Sequence, residues 1–203
     1  MRDLQQALAD ISAIRIQLAQ ETQFRGYGPR SIAAGGFLAI GVAWGQSWWF
    51  QTRSMDPDVF LLGWVLTAVL SATLASWEAV VRSRKIHHSL SRQMIQNAME
   101  QFVPSVAAGL LLTVVVMKGI PREEWMLPGL WQIAFSLGVF ASRRFLPRTV
   151  FVVGLWYLVA GLTCLTLQAD SRQLTPWTLG ISFGVGQLFT AAVLLAGDAD
   201  SDR

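Results

Sequence analysis

Six apolar runs, separated by short polar stretches, dominate the chain: Ser31–Phe50, Val59–Val81, Phe102–Met117, Met126–Ala141, Thr149–Leu167 and Trp177–Ala196. A helix needs about 17–25 apolar residues to cross the hydrocarbon core of a bilayer, so each run reads as a transmembrane helix. The third and fourth stand at the short end and need tilt, local thinning or flanking residues to complete the crossing. The expected fold is an all-α membrane protein with six transmembrane helices occupying residues 27–197.

Two further segments carry helical periodicity without the apolar length. Leu4, Leu8, Ile11, Ile14 and Leu18 recur on one face among Gln, Asp and Arg, which predicts an amphipathic N-terminal helix within residues 1–26. Ile86, Leu90, Met94, Ala98 and Phe102 step by four and run straight into the third apolar stretch. One continuous helix is therefore expected, with residues 83–101 extending beyond the membrane and Pro104 where it meets the bilayer. The last six residues, 198–203, form an acidic tail. Its Asp198, Asp200 and Asp202 lack the glycine and closing glutamate of a calcium loop.

The odd-numbered runs begin alike, with an aromatic residue two positions before a proline and then a small hydroxyl and a β-branched side chain. The three copies are Tyr27-Gly28-Pro29-Arg30-Ser31-Ile32, Phe102-Val103-Pro104-Ser105-Val106 and Phe145-Leu146-Pro147-Arg148-Thr149-Val150. Pro57, Pro128 and Pro176 stand near the starts of the even runs. Proline suits the first turn of any helix, where its missing N–H costs nothing. The sharper expectation is three tandem helical hairpins inserted the same way, as in parallel-repeat transporters.

Composition agrees with the pattern: 53% of the 203 residues are hydrophobic and 14% charged, against about 25% charged in soluble domains. The net charge of +3 lies between apolar runs rather than on one face, so it argues for membrane orientation and not for nucleic acid. With the N-terminus inside, Arg2, Arg15, Arg25, Arg30, Arg82, Arg84, Lys85, Arg92, Arg143, Arg144, Arg148 and Arg203 are cytosolic. Only Arg53, Lys118, Arg122 and Arg172 fall outside, a positive-inside bias that places both termini in the cytosol of a multi-pass plasma-membrane protein. Trp48, Trp49, Trp125 and Trp177 then lie near the outer interface. The first thirty residues lack a signal-peptide core, so insertion is expected to rely on the first transmembrane helix.

Candidate chemistry is sparse. Glu78 is the one acidic residue well inside an apolar run, and Arg82, four residues on, offers it a same-face ion pair. Gln46, Gln132 and Gln187 are amides within the spans, suited to bonds between helices and also to a polar cavity. His87 and His88 are adjacent, which is wrong spacing for chelation. Glu123 and Glu124 beside Arg122 read as a solvated turn, and Cys164 as a small packing residue. Gly41-xxx-Gly45 and Gly180-xxx-Gly184 are small-residue pairs that intramolecular packing explains. These residues supply neither a catalytic nor a cofactor-binding nor a metal-binding constellation.

The expected role is binding rather than catalysis: a membrane subunit, scaffold or regulator whose partners are the lipid bilayer and a protein or second copy of itself. The contact surface would be the cytosolic stripes, carried by Leu4, Leu8 and Ile11 and by Ile86, Leu90 and Met94. The N-terminal stripe has no surplus of positive charge, so it suits protein better than anionic lipid. A small-solute transporter or channel built from the hairpins is the alternative.

Overall fold

The computed structural model describes residues 28–85, 89–120, 122–142 and 150–201. Among them the chain is helical without strands: α1 (Pro29–Gln51), α2 (Pro57–Lys85), α3 (Ser89–Gly119), α4 (Leu127–Ala141), α5 (Val150–Gln168) and α6 (Pro176–Ser201), with a 3₁₀ turn at Glu124–Met126 before α4. Proline opens α1, α2, α4 and α6 within the first two positions. Asp56 caps α2, its carboxylate accepting the Asp58 N–H at 3.0 Å. Pro104 differs, because it lies inside α3 rather than at its start. From Ser89 the helix runs unbroken through it and so extends well beyond the apolar run, whereas residues 83–85, expected in the same extension, belong to α2 and Ile86 lies outside the described residues. Pro29 and Pro104 thus occupy different helical positions, and Pro147 lies outside the described residues, so the proline copies do not establish a hairpin repeat.

Three helices are long and apolar enough to cross a membrane: α2 over Pro57–Glu78, α3 over Glu100–Gly119 and α5 over Val150–Gln168. At 15 residues α4 spans about 22 Å, short of a hydrocarbon core of about 30 Å. The 23 residues of α1 have the length, but Ser31, Gln46 and Ser47 interrupt their apolar character.

Helices α1 and α2, α3 and α4, α4 and α5, and α5 and α6 pack antiparallel in sequence, and α6 returns to α1; α2 and α3 share no extensive seam among the described residues. The most extensive seams are α1 on α6 and α4 on α5, so the strongest packing joins different sequence hairpins. Both seams are closed by glycine. A Cβ on Gly36 would stand 3.0 Å from the Gly184 carbonyl oxygen. Across the other seam, Cβ atoms on Gly129 and Gly161 would stand 2.9 and 2.8 Å from each other's carbonyl oxygens. Small residues are the means by which helices approach closely where lipid supplies no hydrophobic drive.

Two clusters fill the bundle. Near the α1–α2 turn, Phe60, Leu61 and Trp64 of α2 meet Val116 of α3, Leu127 of α4, Leu179 of α6 and Ala39 and Ala43 of α1. Deeper in the bundle, the Phe135 ring of α4 contacts Phe102, Tyr157 and Phe183 edge-on at centroid distances of 5.2, 4.6 and 5.4 Å. One side chain thereby ties α4 to α3, α5 and α6. Such pairs add about 0.5–1.5 kcal/mol each beyond the area they bury.

Candidate functional site: polar side chains of the bundle

Helix α1 begins without a cap of its own. Its N-cap residue is Gly28, which has no side chain to accept the orphan N–H groups of the first turn. Glu78 of α2 supplies the missing acceptor: its Oε2 takes the Ser31 backbone N–H at 2.8 Å. Ser31 Oγ donates back to the Gly28 carbonyl at 3.1 Å. Any Cβ at Gly28 would overlap the Glu78 carboxylate, so the bare residue and the distant acid are matched. The carboxylate also meets the positive end of the α1 dipole. The Arg82 side chain, and with it the ion pair suggested by its spacing, lies outside what the structure describes.

The three amides serve different neighbours. Gln46 Nε2 donates to the Phe60 carbonyl at 3.1 Å, tying α1 to the start of α2. Gln132 is fully buried, and its Nε2 donates to the Thr178 carbonyl at 3.3 Å, tying α4 to α6. Gln187 faces Gly35, where an added Cβ would collide with its Oε1 and stand 3.3 Å from Ser71 Oγ. The structure therefore does not gather the amides into one site. Two indoles that periodicity does not single out make similar bonds: Trp131 Nε1 to Thr113 Oγ1 at 2.8 Å and Trp156 Nε1 to the Ser182 carbonyl at 2.9 Å. Seven buried side-chain atoms lack a hydrogen-bond partner among the described residues, including Gln46 Oε1, Trp64 Nε1 and Ser71 Oγ along α1 and α2, and Gln132 Oε1, Ser136 Oγ and Gln168 Nε2 on α4 and α5.

Charge is organised at the opposite end from Glu78, where sequence suggests only a solvated turn. Glu123 Oε1 accepts Arg172 Nη1 at 3.0 Å, and Glu123 Oε2 accepts Trp125 Nε1 at 2.7 Å. The α3–α4 and α5–α6 loops are thus tied together through one carboxylate. Glu124 Oε1 accepts the Arg122 backbone N–H at 3.3 Å. Arg122 and Arg172 both hold left-handed backbone, with φ of 71° and 50°. No local spacing signals the Glu123–Arg172 pair, whose members stand 49 residues apart.

Gly41 and Gly45 meet no neighbour within 4 Å and lie on the open face of α1, whereas Gly180 and Gly184 face α1 directly. Cys164 is buried on α5, its Sγ 3.5 Å from Gln168 Oε1. Among the described residues no group of three or more His, Cys, Asp or Glu side chains is placed to hold a metal. Leu4, Leu8, Ile11, Ile86, His87 and His88 lie outside the described residues; Leu90 and Met94 are placed by backbone on the first turns of α3. Searches against family models, curated proteins and solved structures find no match to this chain.

Proposed function

We propose that this chain is a non-enzymatic subunit, scaffold or regulator of the plasma membrane, crossing it six times with both termini in the cytosol and acting through helix–helix contacts. The observation that supports this reading best is the continuity of α3 from Ser89 to Gly119. One helix joins the predicted contact stripe at Leu90 and Met94 to a membrane span. That span is the least covered of the three apolar ones, with 6% of it buried inside the bundle against 28% for α5. Its main brace is α4, through the Phe102–Phe135 ring contact and the Trp131–Thr113 bond. A partner on the projecting turns would pull directly on a lightly held helix. The polar side chains of the interior favour the same reading, since Glu78, Gln46 and Gln132 each bond a neighbouring helix's backbone.

The test is native mass spectrometry of the tagged chain gently extracted from its own cells, with and without Met1–Glu21. A stoichiometric second polypeptide, lost on truncation while membrane insertion persists, supports the proposal. Association that survives the truncation places the contact surface elsewhere. The second reading, solute transport, draws on the unpartnered buried polar atoms, which water or a small solute would satisfy. It requires solute flux in reconstituted vesicles that Glu78→Gln or Gln132→Leu alters at equal expression.

A further inference from the structure

All three loops at the Trp125 end converge on one cleft of about 280 Å³, whose walls come from residues on either side of the bundle. Met55 of the α1–α2 turn, Pro57 at the start of α2 and Leu174 of the α5–α6 loop form its apolar side. Met55 and Leu174 pack against the buried core, so this wall is rooted in the fold. Glu124, Trp125 and Arg172 form the polar side.

The two charged groups of the cleft keep unused capacity. Arg172 spends Nη1 on Glu123, leaving the rest of a five-donor guanidinium, and its side chain is 62% accessible. Glu124 is an acceptor of up to four hydrogen bonds, and among the described residues it takes only the long one from the Arg122 N–H. The acid and the base are not bonded to each other. Glu123 holds Arg172 in place, and the mostly buried Trp125 in turn fixes Glu123. Arg172 and Arg122 each hold left-handed backbone in a loop, a conformation that glycine adopts more readily. Retaining side chains there costs conformational energy, as residues positioned for a ligand commonly do.

We infer that this cleft binds a zwitterion carrying a phosphate ester and a primary ammonium, the phosphate taken by Arg172 and the ammonium by Glu124. The guanidinium fork matches phosphate geometry. The carboxylate requires an N–H donor, which a primary ammonium has and a quaternary one lacks. The apolar wall of Met55, Pro57 and Leu174 accommodates the carbon chain attached to such a head. Two sources share this chemistry, a phosphatidylethanolamine lipid from the surrounding leaflet and a free phosphoethanolamine.

The experiment uses the full-length protein in micelles containing equal amounts of phosphatidylethanolamine and phosphatidylcholine, read by native mass spectrometry. Wild type is expected to retain one phosphatidylethanolamine in preference to phosphatidylcholine by about tenfold, the scale of one charge-assisted hydrogen bond. Glu124→Gln should erase the preference, Arg172→Gln should weaken retention of both lipids, and Arg53→Gln, at the same end but outside the cleft, should change neither. Displacement by soluble O-phosphoethanolamine indicates that the head group suffices and admits the free source; resistance to it assigns the lipid. Equal retention of the two lipids by wild type, or an unchanged preference in Glu124→Gln, overturns the inference. Because Glu124 takes no part in the Glu123–Arg172 bridge, its variant decides the matter even if Arg172→Gln disturbs the loops.

Discussion

Glu78 Oε2 accepts the backbone N–H of Ser31 at 2.8 Å, so a carboxylate on the second helix serves as the N-cap of the first. The bond falls on the third residue of α1, the N–H that a capping serine or aspartate would ordinarily satisfy. Glycine at position 28 leaves that role vacant and leaves room for the acid that fills it.

Removing this acceptor should loosen the α1–α2 hairpin. Glu78→Ala is expected to lower stability by about 1–2 kcal/mol, the range for a lost cap with a charged acceptor. Glu78→Gln keeps an acceptor oxygen and gives up the attraction of the charge to the α1 dipole, about 0.3–1 kcal/mol. Gly28→Ala should resemble or exceed Glu78→Ala, because its Cβ displaces the carboxylate. Thermal denaturation in detergent ranks the three; equal stability of Glu78→Ala and wild type would show that the cap carries no weight.

The two seams closed by glycine respond differently from the open glycines. Gly161→Ala places a methyl against the Gly129 carbonyl, where both partners are backbone and neither can yield cheaply, at a cost of about 1–3 kcal/mol. Gly41→Ala meets empty space and gains helix propensity, up to about 1 kcal/mol in favour. Paired melting curves check both signs. If Gly41→Ala instead changes the oligomer observed by native mass spectrometry, the open face of α1 is an interface between copies.

These glycines also mark the limit of what the sequence reveals. Gly41-xxx-Gly45 and Gly180-xxx-Gly184 are indistinguishable as motifs, yet only the second faces another helix, because the choice of face depends on neighbours brought in by tertiary packing. Helix positions follow from apolar runs, and the helix that carries Leu90 and Met94 into the third run is legible because period and length are local properties. The Glu78–Ser31 and Glu123–Arg172 bonds are not legible, since each joins residues nearly fifty positions apart. Glu78 is conspicuous as an acid in an apolar run, but its spacing points to Arg82 and gives no hint of the α1 terminus.

Helix α3 should be the first apolar span to open. Trp131→Phe keeps an aromatic ring but trims the indole and removes the N–H that holds Thr113, together about 1–3 kcal/mol. Hydrogen exchange in α3 should accelerate while that in α5 is unchanged, because α5 is braced separately by Trp156 and the Gly129–Gly161 seam. Uniform acceleration across both helices would mean that the bundle opens as one unit.

The proposed topology is open to labelling without removal of the native thiol. Cys164 is the chain's one cysteine and is buried, so a membrane-impermeant maleimide should give low background. Gln173→Cys, in the α5–α6 loop, should label in intact cells. A cysteine at Ser83, toward the other end of α2, should label only after the membrane is permeabilised. Reversal of the two results would invert the orientation, and labelling of both in intact cells would defeat the six-span arrangement.

Gln132→Leu separates helix contact from solute binding. The amide donates one long bond to the Thr178 carbonyl, which also accepts Ser182 Oγ at 2.6 Å, so that carbonyl keeps a partner in the variant. Gln132 Oε1 has no protein partner among the described residues, and leucine removes its desolvation penalty along with the bond. If the amide serves only to join helices, the two effects nearly cancel and stability should stay within about 1 kcal/mol of wild type. If Oε1 instead meets water or a solute essential to transport, the same variant should alter flux in reconstituted vesicles while its melting curve barely moves. A large loss of stability without any flux in wild type would rule against solute passage and make Gln132 a structural linchpin of the α4–α6 contact.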